Sequence, residues 1–124
     1  RASVASSITD PASDFYGNTL LTFEVLNTLR VSAPQCQFIY LSSAAVYGNP
    51  RSLPISEEHL PSPISPYGFH KLQGEQLCLE FSKVYDMATA SVRIFSAYGP
   101  GIRRQVMWDI CHKAIFQDSI TLQG

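Results

Sequence analysis

Three observations predict an α/β fold built on a parallel sheet. Phe38-Ile39-Tyr40-Leu41, inside Gln37–Ser43, is a short continuous apolar run rich in aromatic and β-branched residues, the pattern of a strand buried on both faces. Thr89–Phe95 is a second strand candidate. Segments with helical apolar spacing precede, separate and follow the two runs, and strands alternating with helices of this length assemble as βαβ units with right-handed crossovers.

The elements follow in order. Arg1–Asp10 carries Ser and Ala without apolar alternation and reads as a loop. Asn18–Arg30 places Leu21, Val25 and Leu29 at i, i+4 and i+8, with Leu20 and Leu26 widening the stripe, so it reads as a helix ended by Ser32-Ala33-Pro34. Gly48–Ser65, with Pro50, Pro54, Pro61, Pro63 and the pair Glu57-Glu58, is a long irregular stretch. Such a loop inside a compact domain is more often a functional lid than a passive connector.

Ser65 suits an N-cap and Pro66 the first helical position, so a helix runs from Pro66 to about Tyr85. Leu72, Gln76, Leu79 and Lys83, and Phe69, Leu77 and Phe81, give it two mixed stripes. Gly74 within it costs about 1 kcal/mol against Ala, which predicts close packing of another element there. Asp86-Met87 turns the chain into the second strand, and Gly99-Pro100-Gly101 breaks it. Arg103–Phe116 places Val106, Ile110 and Ala114, and Met107, Cys111 and Ile115, at helical spacing, and Ser119–Leu122 reads as a short strand.

The 124 residues carry 9 Lys+Arg against 10 Asp+Glu, with 45% hydrophobic residues. This is a globular balance without the charge excess of disordered chains. It lacks the clustered basic residues of a nucleic-acid partner, and its apolar runs are too short to span a membrane. No secretory signal opens the chain, so a cytoplasmic location is expected. Cys36, Cys78 and Cys111 are odd in number and widely spread, and read as buried free thiols. His59, His70 and His112 are scattered surface or helix residues, and no metal site is predicted.

In a parallel sheet the site lies beyond the carboxyl ends of the strands, which directs attention to Ser42-Ser43 and to Phe95-Ser96-Ala97-Tyr98. On the helix between them, Tyr67 and Lys71 are i and i+4 and share one face. A free phenol has a pKa of about 10, and a nearby ammonium in a partly desolvated cleft lowers it, giving a group able to exchange a hydroxyl proton near neutrality. Chance alone gives roughly 0.15 such pairs in a chain of this composition. Ser43, ending the first strand, supplies a hydroxyl that can share a substrate hydroxyl with Tyr67.

The segments SSAAVYG, SPYGFHK and VRIFSAYGPG, with Asp10-Pro11 and Asn18 before them, resemble the extended short-chain dehydrogenase/reductase family. More narrowly, they resemble its NAD-dependent epimerase/dehydratase branch, which acts on nucleotide-activated sugars. The resemblance implies part of a Rossmann-like parallel sheet with flanking helices, plus the start of the substrate-binding region, divided at 1–100 and 101–124. It implies that Ser43, Tyr67 and Lys71 are catalytic. Tyr67 would deprotonate the sugar hydroxyl while the nicotinamide takes the hydride, and Lys71 would hold the nicotinamide ribose. Leu41, Ser42, Tyr67, Lys71 and Phe95 would then contact NAD. Ser43, Ala45, Tyr47, Tyr67, Ser96 and Arg103 would contact the nucleotide sugar, with Arg103 or Arg104 on a phosphate.

Two departures matter. Sugar dehydratases of the branch carry an acidic pair where this chain has Ala44-Ala45, and neither can act as acid or base, so epimerase or dehydrogenase/reductase chemistry fits better. The branch usually has Asn at Ser96, a difference that favours the other alternative, a non-catalytic dinucleotide-binding module. The glycine-rich cofactor turn is absent, so the expectation is an internal fragment, inactive and weak in NAD binding by itself. The resemblance also implies a homodimer through helices 18–30 and 66–85.

Overall fold

The computed structural model describes residues 3–103 and 106–116, so Arg104 and the expected strand Ser119–Leu122 lie outside the described residues. Two compact units divide after Ile94. The first runs α1 (Val4–Thr9), α2 (Pro11–Phe15), a π-helical turn (Tyr16–Leu20), α3 (Leu21–Ser32), β1 (Phe38–Ser43), a 3-10 turn (Ala44–Tyr47), α4 (Pro66–Tyr85) and β2 (Thr89–Ile94).

The expected opening loop is instead helical from Val4. Ser3 caps α1 by accepting from the Ser6 N–H, and Asp10 caps α2 by accepting from the Ser13 N–H, with Pro11 in its first turn. Caps of this kind satisfy donors that a helix start leaves unpaired, and they suffice for helices too short to show an apolar period. The chain passes from α2 into α3 at Asn18, whose Nδ2 donates to the carbonyl and Oδ1 of Asp14, both at 3.1 Å. α3 buries Thr22 and Leu26, whereas Leu21 and Val25 of the expected stripe are exposed.

α4 begins as predicted, with Ser65 Oγ accepting from the Gly68 N–H and Pro66 in the first turn. Its inward line is not the expected pair of stripes, since Phe69 and Leu79 are exposed. Tyr67, Gly74, Cys78 and Phe81 are buried, and half-buried Lys71 completes their alternating four- and three-residue spacing. Small residues let β1 approach closely. A Cβ on Gly74 would lie 2.2 Å from Tyr40 Oη, so the close packing predicted at this glycine is present.

β1 and β2 pair in parallel, from Phe38 opposite Thr89 to Ser43 opposite Ile94. Leu26, Tyr40, Cys78, Phe81 and Met87 form the core. Tyr40 and Ser42 are buried on the α4 side, while Ile39, Leu41, Val92 and Ile94 are exposed on the other. The expectation of strands buried on both faces is therefore met on one face only.

The second unit contains α5 (Val106–Phe116), steadied by an Asp109–Lys113 ion pair at 2.7 Å. Arg103, expected to begin this helix, is not helical. Cys78 is buried, Cys36 half-buried and Cys111 exposed, so burial of all three thiols is not observed. Among the described residues no helix is long and apolar enough to cross a membrane, and no His, Cys, Asp and Glu group could hold a metal ion.

Candidate active site

Gly68 sets how closely the first turn of α4 approaches the carboxyl end of β1. A Cβ there would fall 2.6 Å from the Ala45 carbonyl oxygen, so the helix rests directly on the 3-10 turn. Ser43 caps that turn, its Oγ accepting from the Ala45 N–H at 3.2 Å. The candidate phenol and the candidate hydroxyl thus stand on two turns in backbone contact. Sequence reasoning assigned Gly68 no role, although a glycine directly after the candidate tyrosine is a sign of close approach.

Lys71 bridges helix and strand. Its Nζ donates to the Leu41 carbonyl at 3.0 Å and lies 4.9 Å from the Tyr40 ring centroid and 5.8 Å from that of Tyr67. Burial lowers the lysine pKa, and the charge of Asp14 opposes that shift without cancelling it. Between the lowered value and the ordinary one near 10.5, the folded chain holds fewer protons than the unfolded chain, so this residue makes stability rise with pH. Cys78, whose thiol is pushed up by burial, contributes the opposite slope. Lys71→Met removes this contribution and is therefore expected to shift the pH slope of the unfolding midpoint below pH 10.5 toward the falling slope of Cys78 and of Tyr40, whose phenol burial also pushes up, measured by denaturant titration against the unsubstituted chain. An unchanged slope contradicts the lowered pKa.

Tyr67 is buried, and its backbone N–H, otherwise unpaired in a first helical turn, donates to Ser7 Oγ on α1 at 3.1 Å. Asp14, fully buried on α2, meets His70 Nδ1 through Oδ2 at 2.6 Å. His70, read from sequence as an ordinary surface or helix residue, thereby docks α2 against α4. The sequence carried little sign of the Asp14–His70 pair, because its partners are 56 residues apart.

Ser42, expected at a cofactor, is buried and donates from Oγ to Glu75 Oε1 at 2.5 Å. Glu75 holds Arg93 of β2 through Nε to Oε1 at 2.9 Å and Nη2 to Oε2 at 2.7 Å. Arg93 Nη1 donates to Tyr47 Oη at 2.8 Å, and the Glu75 carboxylate raises the guanidinium pKa further. Tyr47, expected beside a substrate, is buried with its hydroxyl in this network. Two signals were available for the missed residues: Glu75 follows Lys71 by one helical turn, and Arg93 is a charge inside an apolar strand.

The first unit therefore gathers Leu41, Ser43, Ala45, Tyr67 and Lys71 about the end of β1. Phe95, Ser96 and Arg103 belong to the second unit, where all three are exposed.

The profile of the NAD dependent epimerase/dehydratase family matches residues 1–119. GDP-6-deoxy-D-mannose reductase of Pseudomonas aeruginosa is 36% identical over 100 residues, which cover 79% of this chain and 33% of that protein. UDP-arabinose 4-epimerase 1 of Arabidopsis thaliana is 38% identical over 98 residues, covering 79% and 23%. The chain thus spans a third or less of these relatives. The structure of RMD from Pseudomonas aeruginosa complexed with NADPH matches with a TM-score of 0.82 at 32% identity, over 93% of this chain and 40% of that one. UDP-glucose 4-epimerase from Brucella ovis in complex with NAD matches with a TM-score of 0.76 at 35% identity, over 80% and 30%.

Proposed function

The chain belongs to the NAD dependent epimerase/dehydratase family, and from that premise we propose that it is part of an NAD-dependent nucleotide-sugar epimerase. One observation carries the reading: Tyr67 and Lys71 share a helical face whose first turn is seated on the Ser43-capped turn, with the Lys71 ammonium fixed on Leu41.

The residues present fit the nicotinamide end of a dinucleotide. An ammonium drawn partly out of water stands at the carboxyl end of a parallel strand, where open α/β sheets bind such ligands. Lys71 would hold its ribose, with Leu41 and Ser42 beside it; residues 1–100 then belong to the cofactor domain and 101–124 begin the substrate region. When bound, NAD supplies the hydride acceptor. Tyr67 Oη takes the proton of the sugar hydroxyl and later returns it, and Ser43 Oγ orients that hydroxyl. Ala45 and Tyr47 lie on the substrate side in this reading. Ala44-Ala45 offers no acid or base for an elimination. The exposed Leu21 and Val25 of α3 and Phe69 and Leu79 of α4 are the surface a homodimer through these helices would cover.

The similarity to a reductase and to a structure complexed with NADPH supports a second reading, an NAD(P)-dependent sugar reductase using the same residues. Reaction of the full-length protein in D2O tests hydride transfer in both readings, and the reduced cofactor followed alongside separates the two. The epimerase returns the same hydride, so the inverted sugar carbon gains no solvent deuterium. Deuterium at that carbon overturns hydride transfer, and stoichiometric consumption of reduced cofactor without an epimer overturns epimerisation in favour of reduction.

A further inference from the structure

The geometry points to Glu75 as a positioning residue for Lys71, an inference that rests on the role of Lys71 proposed above. The two side chains follow each other by four residues on α4 and make consecutive ties to consecutive residues of β1. Lys71 Nζ donates to the Leu41 carbonyl, and Glu75 Oε1 accepts from Ser42 Oγ. Arg93 grips the same carboxylate bidentately from β2 and reaches Tyr47 beyond it. Paired planar groups of this kind fix direction as well as distance. The Glu75 and Arg93 side chains are 11% and 23% exposed, so water competes weakly for either. One carboxylate thus registers α4, β1, β2 and the 3-10 turn at the place where the candidate site is built.

The lysine needs that registration. Its ammonium rides on a flexible four-carbon stem, and its place is set by where the Leu41 carbonyl stands relative to α4. Ser42 is the adjacent residue, so the Glu75–Ser42 tie fixes that carbonyl against sliding along the helix. A displacement of about 1 Å in a catalytic constellation can cost about 10²-fold in rate.

The test is a double-substitution cycle in the full-length enzyme, read as kcat and KM. Glu75→Gln keeps the shape but weakens the grip on Arg93 and Ser42. With Lys71 present it is expected to lower kcat about tenfold, with KM for the nucleotide sugar within about twofold. On a Lys71→Met background the further loss is less than about twofold, because the residue through which Glu75 acts is gone. Equal losses on both backgrounds, or no loss on the first, overturn the inference. Where Glu75→Gln does not fold, Ser42→Ala removes the same tie, leaves the Glu75–Arg93 pair in place, and carries the same expectation. If Lys71→Met itself leaves turnover unchanged, the proposed role of Lys71 fails instead.

Discussion

Tyr67→Phe in the full-length protein lowers kcat by about 10²–10⁴-fold while NAD affinity stays within about threefold. The substitution removes one oxygen and leaves the ring that fills the buried position at the start of α4. The turn itself stays built. Ser65 still caps the Gly68 N–H, and Ser7 still accepts from the backbone N–H of residue 67, since neither contact uses the phenol. Lys71 also keeps its tie to the Leu41 carbonyl, so the ammonium proposed to hold the ribose stays in place. What is lost is the proton-exchanging group, and stopped-flow turnover with separate cofactor titration detects that split. A variant with full turnover removes Tyr67 from the acid/base role.

Gly68→Ala is expected to destabilise the chain by about 1–3 kcal/mol and to lower turnover together with it. The added methyl would lie 2.6 Å from the Ala45 carbonyl oxygen and 3.0 Å from Pro63 Cβ. The first obstacle is backbone, which cannot rotate aside as a side-chain tip does, so α4 and the 3-10 turn must separate. That separation moves Tyr67 away from Ser43, the two groups proposed to share one sugar hydroxyl. Gly17 is the control: a Cβ there meets nothing within 4 Å, so Gly17→Ala leaves the melting temperature unchanged or raises it. Thermal unfolding of the two variants side by side distinguishes crowding at Gly68 from a general cost of replacing glycine. Equal effects at both positions would contradict the close contact.

The start of α4 and the packing at Gly74 were legible because local chemistry determines them: a Ser-Pro pair that suits a helix start and is followed by a long helical pattern, and a glycine that weakens a helix unless something fills its space. The inward face of α4 was harder to read. Apolar counting weights Leu and Phe, whereas the buried line is Tyr67, Gly74, Cys78 and Phe81, chosen for fit against β1 rather than for hydropathy. α1 and α2 rest on Ser3 and Asp10 caps within helices too short for periodicity to emerge. The paired spacing of Tyr67 and Lys71 was visible in one helix. The Ser42–Glu75–Arg93–Tyr47 network was not, because it exists only once β1, β2 and α4 have assembled.

The most direct measurement is a crystal structure of the full-length protein with NAD and a nucleotide sugar bound. The account predicts Tyr67 Oη and Ser43 Oγ within about 3 Å of one sugar hydroxyl, with Lys71 Nζ on the nicotinamide ribose. A sugar whose reacting carbon is met by neither hydroxyl contradicts it.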